Sequence, residues 1–299
     1  MAKVKQDDVL HRIREKYQTL SKGQKRLADY IQNHYEKAVY LTAARMGELV
    51  GVSESTVVRF AGELGYDGYP GMQRAMEETI RTRLTALQRM EVSSANIDDE
   101  HLVQSVLQGD ILNIRETMTL VDDGAFQQAV ETIMNAKRIY VLGVRSSAPL
   151  ASYLGYYLNL FFGNVHLGLT NSISETFEQI LKIGPEDCMI GISFPRYSKR
   201  TVKAMEYAKA RGAAVVAVTD NDQSPIAANA DTVLKAYSSM ESFVDSLVGP
   251  MSLMNALIIA VTRQRQEEVQ ENLTALESIW KEYDVYEKTD EDTFGKLLS

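Results

Sequence analysis

Residues 43–64 read AARMGELVGVSESTVVRFAGEL, and their spacing decides how the first part of the chain folds. Two short helices can cross closely only over a small residue, and Gly47 stands at that place. Four positions on, Gly51 can take the left-handed backbone of a sharp turn without steric cost. Met46, Val50, Val52, Val57 and Phe60 recur at the spacing that seals two helices around a shared core. Ser53, Glu54, Ser55, Thr56 and Arg59 are left on the outer face and first turn of the second helix. This is the pattern of a helix-turn-helix, whose second helix enters the major groove while hydroxyls and helix-start amides meet phosphate. Ser53, Ser55, Thr56 and Arg59 are therefore the candidate DNA-binding residues. A three-helix bundle with a purely structural role is the alternative that the same spacing allows.

Outward from this stretch, the first 80 residues carry helical patterns and almost no strand signal. Ser21 followed by Gln24 has capping-box spacing, and Leu27, Tyr30, Ile31 and Tyr35 continue at helical period. Thr42 and Ser53 are placed to cap the two helices of the motif, and Gly65, Gly68, Pro70 and Gly71 form a turn-rich exit. Lys22, Lys25, Arg26, Arg74, Arg81 and Arg83 are available for phosphate contacts. The polar run EVSSANIDDE at 91–100 reads as a linker with a helix on each side.

From residue 137 the texture changes. Apolar, β-rich runs occur at 138–143, 164–168, 188–193, 214–219 and 232–236, separated by helical patterns at 148–162, 173–183, 199–211 and 224–229. Nearly continuous apolar strands alternating with amphipathic helices imply a parallel sheet covered on both faces. A long helix over about 245–272 closes the domain, and the acidic stretch 281–299 is expected to be loosely held. The expected fold class is an all-α N-terminal helix-turn-helix domain plus an α/β C-terminal domain, its parallel sheet flanked by helices in three α/β/α layers. The expected division is residues 1–80, a linker over 81–100, a second domain over 101–275 and a tail over 276–299.

Composition fits this plan. At 299 residues the chain suits about two domains, and 45% hydrophobic with 24% charged residues excludes a wholly disordered protein. One cysteine, Cys188, excludes a disulfide framework and a zinc site of several thiolates. No metal or cofactor is expected. The first residues show no apolar leader, and the most apolar stretch, 247–262, is broken by Gly249, Pro250 and Asn255, so a cytoplasmic location without a membrane partner is expected. The net charge of -8 argues against nucleic acid, yet it is unevenly spread. Residues 1–90 hold 15 Lys and Arg against 11 Asp and Glu, whereas residues 91–299 hold 17 against 29. Such asymmetry points to different partners for the two parts.

In the second part, two strands each run into hydroxyl residues at the start of a helix. The first is IYVLGVRSSAPLASYLG, with Gly143, Arg145, Ser146 and Ser147 in the turn. The second is MIGISFPRYSKRTVKAMEYAKARG, with Ser193, Arg196, Ser198, Lys199, Arg200 and Thr201 in the corresponding place. Ligands of open parallel sheets bind beyond the carboxyl ends of the strands. Hydroxyls, amides and a helix dipole favour an anion there, a phosphate above all, and arginines strengthen the preference. The plainer alternative makes the serines helix caps and the arginines solvated charges. A proton-transfer enzyme would need a general base, for which His101, His166, Glu175 and Glu241 are the candidates. No pair of them has the spacing of an acid and a base, so no catalytic residue is assigned; Glu241 is placed with the ligand-facing residues.

The run LSKGQKRLADYIQNHYEKAVYLTAARMGELVGVSESTVVRFAGELGYDGYP resembles the N-terminal domain of the RpiR/MurR family of bacterial transcriptional regulators. The likeness covers about residues 1–80 and implies that Ser53, Ser55, Thr56 and Arg59 face DNA. The second part, about 100–270, resembles the sugar isomerase (SIS) domain that usually accompanies it. The family's Gly-x-Gly-x-Ser stands here as Gly143-Val144-Arg145-Ser146-Ser147, with Arg145 for the second glycine. Its Ile-Ser-x-Ser-Gly-x-Thr stands as Ile192-Ser193-Phe194-Pro195-Arg196-Tyr197-Ser198, with Pro195-Arg196 for Ser-Gly. Val218-Thr219-Asp220 through Ser224-Pro225-Ile226 and Ala230-Asp231 matches a third turn. Glycine lost and arginine gained suggest capture of the anion by side chains in place of backbone amides. The resemblance implies a regulator that binds an operator in double-stranded DNA as a homo-oligomer, a dimer or tetramer, under control of a phosphorylated sugar. A sugar-phosphate isomerase is the alternative activity.

Overall fold

The computed structural model describes residues 9–83, 85–93, 101–168, 172–240 and 244–286. It divides into two compact units. The first holds residues up to Gly109 together with Ser239–Ser246; the second holds Asp110–Ser238 and the residues from Leu247 onward.

The first unit is helical: α1 (Val9–Lys16), α2 (Lys22–Asn33), α3 (Tyr35–Ala38), α4 (Ala43–Val50), α5 (Glu54–Glu63), α6 (Gly68–Arg83) and α7 (Ala86–Ser93), with the start of α8 (Leu102–Leu120). Local sequence sets several of these boundaries. Ser21 and Gln24 close the capping box at α2, the Ser21 amide donating to Gln24 Oε1 at 2.9 Å and the Gln24 amide to Ser21 Oγ at 3.4 Å. Thr42 Oγ1 accepts from the Arg45 amide at the start of α4. Gly51 ends α4 with φ 71°, and a Cβ on Gly47 would lie 2.7 Å from the Val52 carbonyl oxygen. Both glycines are thus required by the crossing of α4 and α5. Met46, Val57 and Phe60 are fully buried together with Leu27, Ile31, Leu64 and Met72, while Val50, Val52, Tyr30 and Tyr35 pack at the margin of that core. This one core, with an apolar residue contributed at each helical turn, holds the motif rigid.

Ser239–Ser246 belongs to the same unit although it follows the last strand in sequence. Its ends pair through a Met240–Asp245 bridge and a Ser246 amide to Ser239 carbonyl bond of 2.9 Å. Asp245 accepts from Arg89 of α7 at 3.0 Å, an ion pair whose arginine is only 2% exposed.

The second unit continues with α9 (Asp123–Asn135), which the sequence reading did not single out and which Asp122 caps through the Ala125 amide at 2.7 Å. Then follow β1 (Ile139–Gly143), α10 (Ala148–Phe161), β2 (Val165–Leu167), α11 (Ile173–Gln179), β3 (Cys188–Ile192), α12 (Lys199–Ala210), β4 (Ala214–Thr219), β5 (Thr232–Lys235), α13 (Val248–Gln264) and α14 (Gln266–Glu282). The five strands form one sheet in the order β2-β1-β3-β4-β5, every pair parallel. Ile139, Val141, Ile190, Val216 and Val218 face one side, against α9, α10, α13 and α14. Tyr140, Leu142, Met189, Val215 and Ala217 face the other, against α11 and α12. Burial on both faces explains why the strands read as unbroken apolar runs.

Two expectations are corrected. The region 224–229 forms only a single 3-10 turn over Ala227–Asn229, started by a Ser224–Asn221 turn. The closing helix is two, broken at Arg265 (φ -119°, ψ 36°), whose guanidinium stacks 4.4 Å from the Phe162 ring centre and donates to the Met134 carbonyl. Helical periodicity runs straight through this break because the apolar face continues on both sides of it.

Gly47→Val is expected to destabilise the first unit by about 1–3 kcal/mol, read as a lower urea midpoint, since the obstructing atom is backbone and cannot rotate away. Burial also pushes the Cys188 thiol up to about 12. The native protein should therefore resist a thiol-specific disulfide reagent at pH 8 and react only on unfolding.

Candidate functional site

In the first unit, α5 presents Ser53, Glu54, Ser55, Val58 and Arg59 to solvent, with Thr56 half-buried beside them. Ser53 occupies the N-cap position, but its hydroxyl does not bond a backbone amide as expected. It lies 2.9 Å from both Ser55 Oγ and Thr56 Oγ1, so three hydroxyls form one cluster at the start of the helix. Competition from two neighbouring hydroxyls explains the lost cap, and sequence spacing alone does not register it. The positive end of the helix dipole and this cluster together suit a phosphate. Arg59 folds back along the helix, Nε donating to the Ser55 carbonyl at 3.2 Å. Of the basic neighbours, Arg26 donates to the Gly51 carbonyl at 3.0 Å and so fixes the turn itself. Lys25 lies over the Tyr17 ring. The side chains of Arg81 and Arg83 lie outside the described residues.

In the second unit, the strand order places the remaining candidates. Because β1 lies between β2 and β3 in the sheet, the helices after β1 and β3 pack on opposite faces, α10 on one and α12 on the other. A crevice opens at such a switch point, beyond the carboxyl ends of the two strands. The turn after β1 contributes Gly143, Arg145, Ser146 and Ser147; the turn after β3 contributes Ser193, Arg196, Ser198 and Arg200. Gly143 is required here, since a Cβ would sit 2.5 Å from the Ser147 carbonyl oxygen and 3.0 Å from Ala151 Cβ. Ser147 is 5% exposed and Ser146 is open to solvent.

Ser193 is likewise buried. Its amide donates to the Val218 carbonyl at 3.1 Å, and its hydroxyl accepts from the Ser198 amide at 3.1 Å, closing the turn. Ser198 caps α12 by accepting from the Thr201 amide at 3.4 Å. Thr201, in the first turn of α12, is fully buried with a hydroxyl that has no partner among the described residues. Tyr197 Oη donates to Asp220 Oδ1 at 2.7 Å, tying the same turn to the end of β4. Asp220 also accepts from Thr219 Oγ1 at 3.2 Å.

Arg145 and Arg196 have φ of 58° and 64°, the left-handed region that an arginine adopts at a cost of roughly 1–2 kcal/mol. These are the two positions where the signatures quoted above have glycine. The backbone that glycine would supply is thus kept, and the arginine side chains are added to it. A left-handed backbone is thus compatible here with a long side chain at both positions. Sequence composition could not disclose it, since arginine carries no left-handed preference.

The described candidates for a general base lie on different elements. His166 stacks on Tyr140 with ring centres 4.8 Å apart, beside a cavity of about 280 Å³ lined also by Leu142, Thr176 and Met189, between the sheet and α11. Glu175 lies in the first turn of α11, its amide donating to Ser172, the cap that stands two residues before Ser174. His101 belongs to the first unit. Glu241 lies outside the described residues.

Residues 7–83 match the model of the helix-turn-helix domain of the rpiR family, and residues 132–260 match that of the SIS domain. The chain belongs to the RpiR family of transcriptional regulators. Among similar proteins is an uncharacterized HTH-type transcriptional regulator of Haemophilus influenzae, 27% identical over 77% of this chain and 80% of that protein. The sugar isomerase domain of an RpiR transcription factor from Sphaerobacter thermophilus superposes with a TM-score of 0.56 at 30% identity, covering 59% of this chain and 98% of that one. The Vibrio vulnificus NanR protein, solved in complex with ManNAc-6P, superposes with a TM-score of 0.55 over 92% of this chain and 99% of its own, at 20% identity. In RpiR-family terms, the cluster on α5 lies in the helix-turn-helix domain and the crevice in the SIS domain.

Gly143→Ala is expected to destabilise the second unit by about 1–3 kcal/mol, because the added methyl meets the Ser147 carbonyl, and calorimetric melting of the full chain measures it.

Proposed function

We propose that this RpiR-family protein grips an operator in double-stranded DNA with α5 and is switched by a phosphorylated sugar held in the crevice between β1 and β3. The observation that carries the reading is the second turn. A buried Ser193, a helix capped by Ser198 and a buried Thr201 hydroxyl without a partner converge where α12 begins. A buried hydroxyl left unbonded is unfavourable, and an anion's oxygen relieves it. The ManNAc-6P held by the Vibrio NanR protein supports the same class of effector, a phosphorylated sugar or amino sugar. On this reading Ser53, Ser55, Thr56 and Arg59 meet DNA, and Gly143, Arg145, Ser146, Ser147, Ser193, Arg196, Ser198, Arg200 and Glu241 surround the ligand.

On this reading the protein acts as a regulator and not as an enzyme: of the candidate bases His166 stacks on Tyr140, and none stands in the turns after β1 and β3. It works in the cytoplasm as a homo-oligomer. No described helix is long and apolar enough to cross a membrane. Two symmetric headpieces would read half-sites about 34 Å apart, or a multiple of it, on one face of the duplex. The effector alters DNA affinity only by preferring one arrangement of the headpieces, with a coupling of about 1–3 kcal/mol, or roughly 5–150-fold.

Arg59→Ala should weaken operator binding in a gel-shift titration while sugar-phosphate affinity is kept; equal loss of both would indicate misfolding. Ser147→Ala combined with Ser193→Ala should abolish the response of the operator complex to sugar phosphates, and a persisting response would place the pocket elsewhere. Interconversion of aldose and ketose phosphates by the purified protein would replace the regulator reading with the isomerase one.

A further inference from the structure

The two left-handed arginines carry more than a phosphate site requires. Among the described residues only Arg145, Arg196 and Asp284 combine a side chain with positive φ, and two of the three stand at the ends of adjacent strands. A conformation of this kind persists only where something offsets its cost. Both arginines are exposed, and neither guanidinium has a hydrogen-bond or ion-pair partner among the described residues. Four other cations in or beside the sheet have counter-ions: Arg138 with Asp187, Lys137 with Glu186, Lys209 with Asp231 and Lys235 with Asp222. The turns after β1 and β3, residues 143–148 and 193–201, contain Arg145, Arg196, Lys199 and Arg200 and no acidic residue. The carboxylate at the end of β4, Asp220, accepts from the uncharged hydroxyls of Tyr197 and Thr219.

The serine and threonine hydroxyls with the start of α12 already supply donors for the oxygens of one phosphate. The amides of Ser147, Ser193 and Ser198 are bonded within the chain, so those turns hold their shape without the arginine side chains. The guanidiniums are therefore left over. Each offers five donors in a planar fork and stays charged at every physiological pH, which matches a second oxyanion through paired hydrogen bonds.

We infer that the effector carries two anionic groups, a phosphate at the hydroxyls and α12 and a second oxyanion held by Arg145 and Arg196. The inference rests on the effector reading above and narrows it to sugar bisphosphates or phosphorylated sugar acids. A neutral phosphorylated sugar lacks the group that these two residues recognise.

Calorimetric titration of the full chain with matched pairs tests this: glucose 6-phosphate against 6-phosphogluconate, and fructose 6-phosphate against fructose 1,6-bisphosphate. The doubly anionic member of at least one pair should bind at least about tenfold more tightly, the scale of one or two charged hydrogen bonds. The first pair reports a carboxylate as the second group, and the second pair a phosphate. In R145G/R196G the gap should shrink to below about threefold, the loss expected when the charged hydrogen bonds go. Glycine takes the same backbone without strain, so the variant's melting temperature should not fall. Equal binding within both pairs, or a gap that survives in R145G/R196G, overturns the inference while leaving a sugar-phosphate regulator intact. Binding of no member of either pair overturns this inference, and the effector reading falls with it if ManNAc-6P also fails to bind.

Discussion

The strand order β2-β1-β3-β4-β5 is the constraint on which the second unit depends. A parallel sheet needs a crossover after every strand, and each crossover must return on one face or the other. With β1 and β3 side by side, the chain leaves them toward opposite faces, α10 joining one core and α12 the other. Such a switch point leaves room between the two departing turns. Polar residues placed there cost the fold little, and that is where the serines, Arg145 and Arg196 lie.

The cores on either side tolerate little change. A Cβ on Gly191 would meet Met205 Sδ at 2.2 Å, and one on Gly155 would meet Leu167 Cδ2 at 2.0 Å. On both faces, therefore, a large side chain of the facing element fills the space over a glycine. At the opposite end of the strands, Arg138 grips Asp187 with two bonds of 2.7 and 2.9 Å, and Asp187 further accepts from the Gly184 amide. One end of the sheet is thus locked by internal ion pairs, while at the other Arg145 and Arg196 are exposed. In the first unit a similar economy holds at the turn, where Arg26 serves the Gly51 carbonyl.

Much of this was legible in the amino acids. Gly47 and Gly51 announced the crossing of α4 and α5 because only glycine answers both demands, and Ser21 and Thr42 announced their helices because a cap is a local bond. The strands were legible as apolar runs, and the alternation of strand and helix gave the parallel sheet. What escaped depends on neighbours distant in sequence or on rare backbone states. Ser53 was read as a cap, but Ser55 and Thr56 compete for its hydroxyl. The break at Arg265 is set by Phe162 and the Met134 carbonyl, far away along the chain. Arginine gives no warning of a left-handed φ, and an unpartnered threonine inside a helix, such as Thr201, looks like any other.

The return of Ser239–Ser246 to the first unit has a consequence for how such a protein can be divided or recombined. Arg89 receives its counter-ion from a residue 156 positions later, on a segment flanked on both sides by chain of the second unit. A fragment ending in the interdomain stretch would keep a guanidinium shielded from water while discarding the carboxylate that neutralises it. A headpiece severed from the second unit at one point therefore loses this ion pair, and a graft of it onto a foreign sensor keeps the pair only by carrying Asp245 along.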